Sequence, residues 1–240
     1  MSKFISVSSE VVQKAHGQAG RAGENPPQIQ WFQGQSTEEK LERAIDVVTT
    51  ARKLLRTTET KLSDPKDKHV REWASHYFDT DDVMLKADLD RIGYVIRMTK
   101  TGLETDANLR LKLGREEESL GRRAGVTMKT GTVNVSKLGT VKPWGDQHLR
   151  VMNLRTDNAV HYGAIHISES RLNEELGPKS LIHEATHRYA GTHDYWIWED
   201  SGLKIDGVSP VKRGDARWKL CSLLNADSYA WFIYMVANGY

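Results

Sequence analysis

His183-Glu184-Ala185-Thr186-His187 sets two imidazoles four residues apart with a carboxylate between them. On a helix such residues project from one face, so both rings can reach a single metal ion. Glu184 then stands where it can act as a base on a water that the metal activates. The chemistry implied is hydrolysis with one Zn2+ ion as cofactor. The neighbouring residues suit a buried helix. Gly177-Pro178 breaks the chain and puts a proline in the first turn, Leu181, Ile182 and Ala185 are apolar, and Gly191 fits the left-handed residue that closes a helix. Two histidines on a buried face need partners, and a metal supplies one.

A catalytic zinc takes three protein ligands and keeps one open position. Two side chains just beyond the helix qualify as the third ligand. His193 lies six residues after His187, the metzincin spacing, but that pattern wants a glycine where this chain has Ala190. It also wants a downstream Met-turn, and the only later methionine, Met235, falls in an apolar helical stretch. Asp194 is the alternative.

The stretch HEATHRYAGTHDY, His183 to Tyr195, resembles the aspzincin pattern of HExxH followed by GTxD. Further on, Asn225-Ala226-Asp227-Ser228-Tyr229 resembles the NADSY helix of the same family, the deuterolysin-like metallo-endopeptidases, which include lysine-specific members. The resemblance implies an α+β, zincin-like fold with an N-terminal helical portion, a small antiparallel sheet and a zinc-binding HExxH helix. It implies a zinc metallo-endopeptidase acting on protein or peptide substrates. Carried over, His183, His187 and Asp194 would be the zinc ligands and Glu184 the general base and acid. Asp227 would lie beside the site, as a partner of a ligand or in the substrate pocket. Two positions depart from the family. Ile197 stands where a tyrosine usually supports the oxyanion, leaving Tyr195 as the nearest replacement, and Ala230 stands where lysine-preferring members carry a glutamate.

The elements that must position these residues fall into three stretches. Residues 1–35, with Gly17, Gly20, Gly23 and Pro26-Pro27 as breakers, read as an arm. Residues 36–122 read as a helical subdomain and 123–240 as the catalytic portion, with 36–240 compatible with a single domain. A capping box at Ser36 and Glu39 opens the first helix, followed at helical spacing by Leu41, Ala44, Ile45, Val48, Ala51, Leu54 and Leu55. A short helix over 67–78 and a third over 81–101 follow, the latter with Val83, Leu85, Leu89, Ile92, Val95, Ile96 and Met98 as core candidates. Val126–Met128 and Thr132–Val135 predict a hairpin around Gly131, and 148–168 predicts two more strands with a turn at Thr156-Asp157-Asn158. Gly163–Ser168, just before the metal helix, is the candidate edge strand for holding an extended peptide.

Composition narrows the classes further. A net charge of +2, with basic and acidic residues interleaved, argues against nucleic acid as partner. The apolar run Tyr229–Ala237 is too short to span a membrane. The single cysteine, Cys221, excludes an internal disulfide, and the first residues lack the apolar core of a secretory signal. Synthesis in the cytoplasm is therefore expected. By analogy with the family, a bacterial effector exported by a dedicated machine fits, with a secretion or immunity partner. The competing class is a zinc-stabilised binding module without catalysis, for which the departures at Ile197 and Ala230 speak and the retained Glu184 does not.

Overall fold

The computed structural model describes residues 10–14, 24–32, 37–81, 85–105, 107–112, 125–133, 159–192, 194–199, 202–204 and 218–240. Among the described residues helices dominate, and the strands gather in one mixed sheet and one small hairpin.

Helix α1 (Glu38–Leu62) starts at Thr37, whose hydroxyl accepts from Lys40 N at 3.3 Å, and carries Glu38 and Glu39 at its positive end. The cap is thus one residue later than the Ser36 box predicts. Ala44, Ile45, Val48, Ala51, Leu54 and Leu55 are buried, as their spacing predicts. Helix α2 (Lys68–Phe78) is capped by Asp67 and ends at Asp79, in the left-handed region at φ 54°. Helix α3 (Leu85–Thr105) buries Leu89, Ile92, Val95 and Ile96, whereas Leu85 is half-buried, Met98 is 40% exposed rather than in the core, and Val83 lies outside the described residues. After the short α4 (Glu169–Leu172) comes α5 (Gly177–Ala190), which bears the HExxH residues. Two further helices, α6 (Trp218–Ser222) and α7 (Ala226–Asn238), close the chain. Among the described residues no helix is long and apolar enough to cross a membrane.

The five-stranded sheet runs in the order β1 (Glu10–Lys14), β2 (Gln28–Phe32), β3 (Asn108–Lys112), β5 (Ala159–Ser168), β4 (Gly125–Val133). It is not the antiparallel sheet expected. The β2–β3 and β3–β5 pairs are parallel and only the two outer pairs are antiparallel. The register explains why. Ile29 sits opposite Leu109 and Leu109 opposite Ile165, with Leu111 opposite Ile167 beside them, and all five side chains are buried. Alternation puts these residues on one face, so this pairing lays a continuous apolar row against the helices. Burying each such side chain contributes roughly 1.5–3 kcal/mol.

This pairing also corrects the reading of 1–35 as an arm, since it supplies two strands. Arg52 of α1 fixes the approach to β2. Its guanidinium, 5% exposed, donates to Leu103 O at 2.9 Å and Asn25 O at 2.7 Å and faces Glu24 at 3.5 Å. The hairpin expected around Gly131 is a single strand, β4, which absorbs Gly131 through two register shifts against β5. Residues 134–158, including the expected turn at 156–158, lie outside the described residues.

Helix α5 lies between the layers. It packs against α1, α3 and α7 on one side and against β4 and β5 on the other. The helical subdomain expected over 36–122 therefore shares its core with the HExxH helix. Leu181, Ile182 and Ala185 are fully buried in that core.

Candidate metal centre

Pro178 stands in the first turn of α5, and Gly191 ends it at φ 68°, ψ 28°, donating its N–H to His187 O at 3.1 Å. A left-handed residue here turns the chain back beneath the last helical turn, and glycine adopts that conformation without the usual penalty. The turn brings Asp194 under the two histidines. His183 Nε2 lies 3.1 Å from Asp194 Oδ1, His187 Nε2 lies 3.3 Å from the same oxygen, and the two Nε2 atoms are 3.3 Å apart. His183, His187 and Asp194 form the group of potential metal ligands among the described residues. His193 lies outside the described residues.

The outer nitrogens of both rings are already engaged. His187 Nδ1 donates to the Thr192 carbonyl at 2.8 Å, and a carbonyl can only accept, so the proton is on Nδ1. His183 Nδ1 faces Asp227 Oδ1 at 3.3 Å, also an acceptor when ionised. With both Nδ1 atoms engaged this way, each Nε2 faces the other and a carboxylate oxygen, presenting a lone pair when its ring is neutral and a proton when it is charged. Three electron-rich atoms converging this way call for a cation. Ligand atoms about 2.0–2.1 Å from one tetrahedral zinc ion would be separated by about 3.3 Å, so the spacing fits that ion.

The electrostatics agree. Burial alone would lower the pKa of His183, but the Asp194 and Asp227 carboxylates outweigh it and push the imidazole up to about 10. Asp194 is held well below the usual carboxylate range, the cost of burying its charge being outweighed by the two imidazoles. Glu184, next in the chain, is buried, and its charge acts on His183. The Asp194 side chain is 60% exposed while those of His183 and His187 are 17% and 10%, so the cluster is open to solvent on the Asp194 side.

Helix α7 holds the segment that follows Asp194. Asn225 Oδ1 accepts from Tyr195 N at 2.9 Å and from Trp196 N at 3.2 Å, and Asp227 Oδ2 accepts from Trp198 N at 2.6 Å. Ser228 Oγ accepts from Trp198 Nε1 and from Asn225 Nδ2, both at 3.0 Å. The NADSY residues thus grip the backbone entering the hairpin of β6 (Ile197–Glu199) and β7 (Gly202–Lys204). Trp196, stacked on Trp218 at 4.0 Å, anchors the same segment in the core. Tyr195 is half-buried, and burial raises its phenol pKa with a further contribution from Cys221. Ile197 is 46% exposed on β6, and Ala230 is fully buried in α7.

Of the site residues read from the sequence, His183, His187 and Asp194 come together, Asp227 touches His183 from outside the cluster, and Tyr195 packs by Cys221. Thr192, Asn225, Ser228 and Lys179 have roles that the sequence did not assign. Thr192 carried a signal as part of GTxD, and Asn225 and Ser228 did so as neighbours of Asp227 in NADSY, whereas Lys179 carried none. No family model, curated protein or solved structure matches this chain.

Proposed function

We propose that this chain is a zinc-dependent metallo-endopeptidase with a zincin-like arrangement of the aspzincin kind. The observation that carries the reading is the convergence of His183 Nε2, His187 Nε2 and Asp194 Oδ1 at 3.1–3.3 Å with the outer ring nitrogens bonded elsewhere. A structural zinc site is closed by four protein ligands, whereas three ligands opening to solvent leave room for a reacting water.

When bound, zinc would supply a Lewis acid for the peptide carbonyl and make a water acidic enough to lose a proton near neutral pH. Glu184 takes that proton as the water oxygen bonds to the carbonyl carbon. It then gives the proton to the amide nitrogen as the C–N bond breaks, so the products are a carboxylic acid and an amine. His183 and His187 are kept in the ligating tautomer by Asp227 and the Thr192 carbonyl.

The substrate proposed is an extended peptide, and the strand that would receive it is not Gly163–Ser168. That segment lies in β5, which pairs with β3 on one side and β4 on the other. The sheet order ends at β4, so among the described strands β4 is the edge beside the metal helix that can add a further strand. Selectivity for lysine is not part of the proposal, because Asp227 is engaged from within the chain by Lys179 at 2.9 Å.

Glu184→Gln should retain zinc and lose cleavage of an unfolded protein, and chelation should abolish wild-type cleavage until zinc is restored. Cleavage by Glu184→Gln at the wild-type rate would remove Glu184 from the chemistry. The exposed Ile197, where the family has a tyrosine, favours the second reading, a zinc-stabilised module without catalysis. Zinc-dependent melting of the wild type with no cleavage of any unfolded substrate would decide for it.

A further inference from the structure

Lys179 lies in the first turn of α5, one turn before His183, and no motif marks it. Its side chain is 12% exposed, and its Nζ is 2.9 Å from Asp227 Oδ1 and 4.5 Å from the centre of the Trp231 ring. Asp227 Oδ1 is the same oxygen that faces His183 Nδ1, while Oδ2 accepts from Trp198 N. Asp227 is 2% exposed, so its charge needs compensation inside the protein. Trp231 is itself fixed, donating from Nε1 to Trp198 O at 2.7 Å, so the ring over which the ammonium sits has a set position.

We infer that Lys179 is a positioning residue for the metal centre, acting on His183 through Asp227. The inference rests on the proposed metal-binding reading and adds to it a residue that touches neither the ion nor the substrate. A carboxylate placed between a fixed cation and a backbone N–H cannot rotate freely. It therefore presents Oδ1 to His183 Nδ1 in one orientation and turns His183 Nε2 towards His187 and Asp194. A ring held in place loses less freedom when it ligates, so affinity for the ion rises. The arrangement is also compact in sequence, since Lys179 and His183 share one face of one helix and meet the same oxygen.

The test is zinc affinity, measured by competition with a chelating dye, with the melting temperature of the chelator-treated protein as the control for folding. Lys179→Met should weaken zinc binding by about 10-fold or more, within the roughly 10–100-fold range typical of partners behind a ligand, and Lys179→Arg should recover most of it. Asp227→Asn should weaken binding at least as much. The double variant Lys179→Met/Asp227→Asn should bind as Asp227→Asn alone does, because Lys179 acts only through that carboxylate. Should Lys179→Met by itself leave Asp227 uncompensated and fail to fold, Lys179→Gln, which keeps a donor to that carboxylate but not the charge, takes its place with the same loss expected. Wild-type affinity in Lys179→Met, or a further tenfold loss in the double variant, overturns the inference while leaving the metal site intact. A wild-type chain that binds no zinc overturns both.

Discussion

The two histidines of the candidate metal cluster are held by different parts of the molecule. His187 is fixed locally, by a carbonyl five residues away in the turn that Gly191 creates. His183 is fixed at long range, by a carboxylate 44 residues away on α7 that is itself gripped by Lys179 and the backbone of Trp198. A backbone acceptor in a capped turn cannot be removed by changing a side chain. A buried charged side chain can, and its loss leaves other groups unpaired. The His183 side should therefore be the sensitive one, and the following variants and conditions test that asymmetry.

The largest effect should come from the carboxylate both rings share. Asp194→Ala should weaken zinc binding by more than the roughly 10–100-fold expected for loss of an outer partner. His193→Ala should change it little, and the reverse result would make His193 the third ligand. Next in size is Asp227→Asn, predicted to weaken binding roughly 10–100-fold in the same dye competition. Wild-type affinity in that variant would mean that His183 needs no distant support.

Acidity acts on the same side of the cluster. His183, pushed up to about 10, is protonated through the neutral range, so zinc must displace a proton from it. Affinity should thus rise about tenfold per pH unit between pH 7 and 9, with proton release seen by calorimetry in buffers of different ionisation enthalpy. The sign for stability follows from the same shift. The raised pKa stabilises the chelated protein below the ordinary imidazole value of 6.5, and that contribution fades as pH climbs towards 10. Melting curves with and without zinc should diverge as pH rises. The smallest effect belongs to the local side. Thr192→Val removes the hydroxyl that lies 2.7 Å from Thr186 Oγ1 and 3.3 Å from His187 Nδ1, but keeps the carbonyl that holds the same nitrogen at the shorter distance of 2.8 Å. Stability should fall by about 1 kcal/mol with zinc affinity unchanged.

The legible features were those with short-range causes. The HExxH face, Pro178 in the first turn, Gly191 at the stop and the buried stripe of α1 all follow from the 3.6-residue period and from turn chemistry. Motif order pointed to Asp227 near the site but left open whether it serves substrate or ligand. Lys179 was invisible because nothing in its neighbourhood announces a partner 48 positions on. The helix stripes were also readable except at Leu41 and Leu85, which are half-buried, and at Met98, which is 40% exposed.

The order of residues determined the HExxH helix and its ends, because both depend on dihedral preferences and contacts within about two turns. Tertiary structure alone decided that residues 28–32 pair with 108–112, that β5 is interior and β4 the edge, and that Asp227 faces His183 rather than solvent. Strand partners and buried charge pairs are chosen by which distant surfaces can be desolvated together. That choice is made only when the whole core closes.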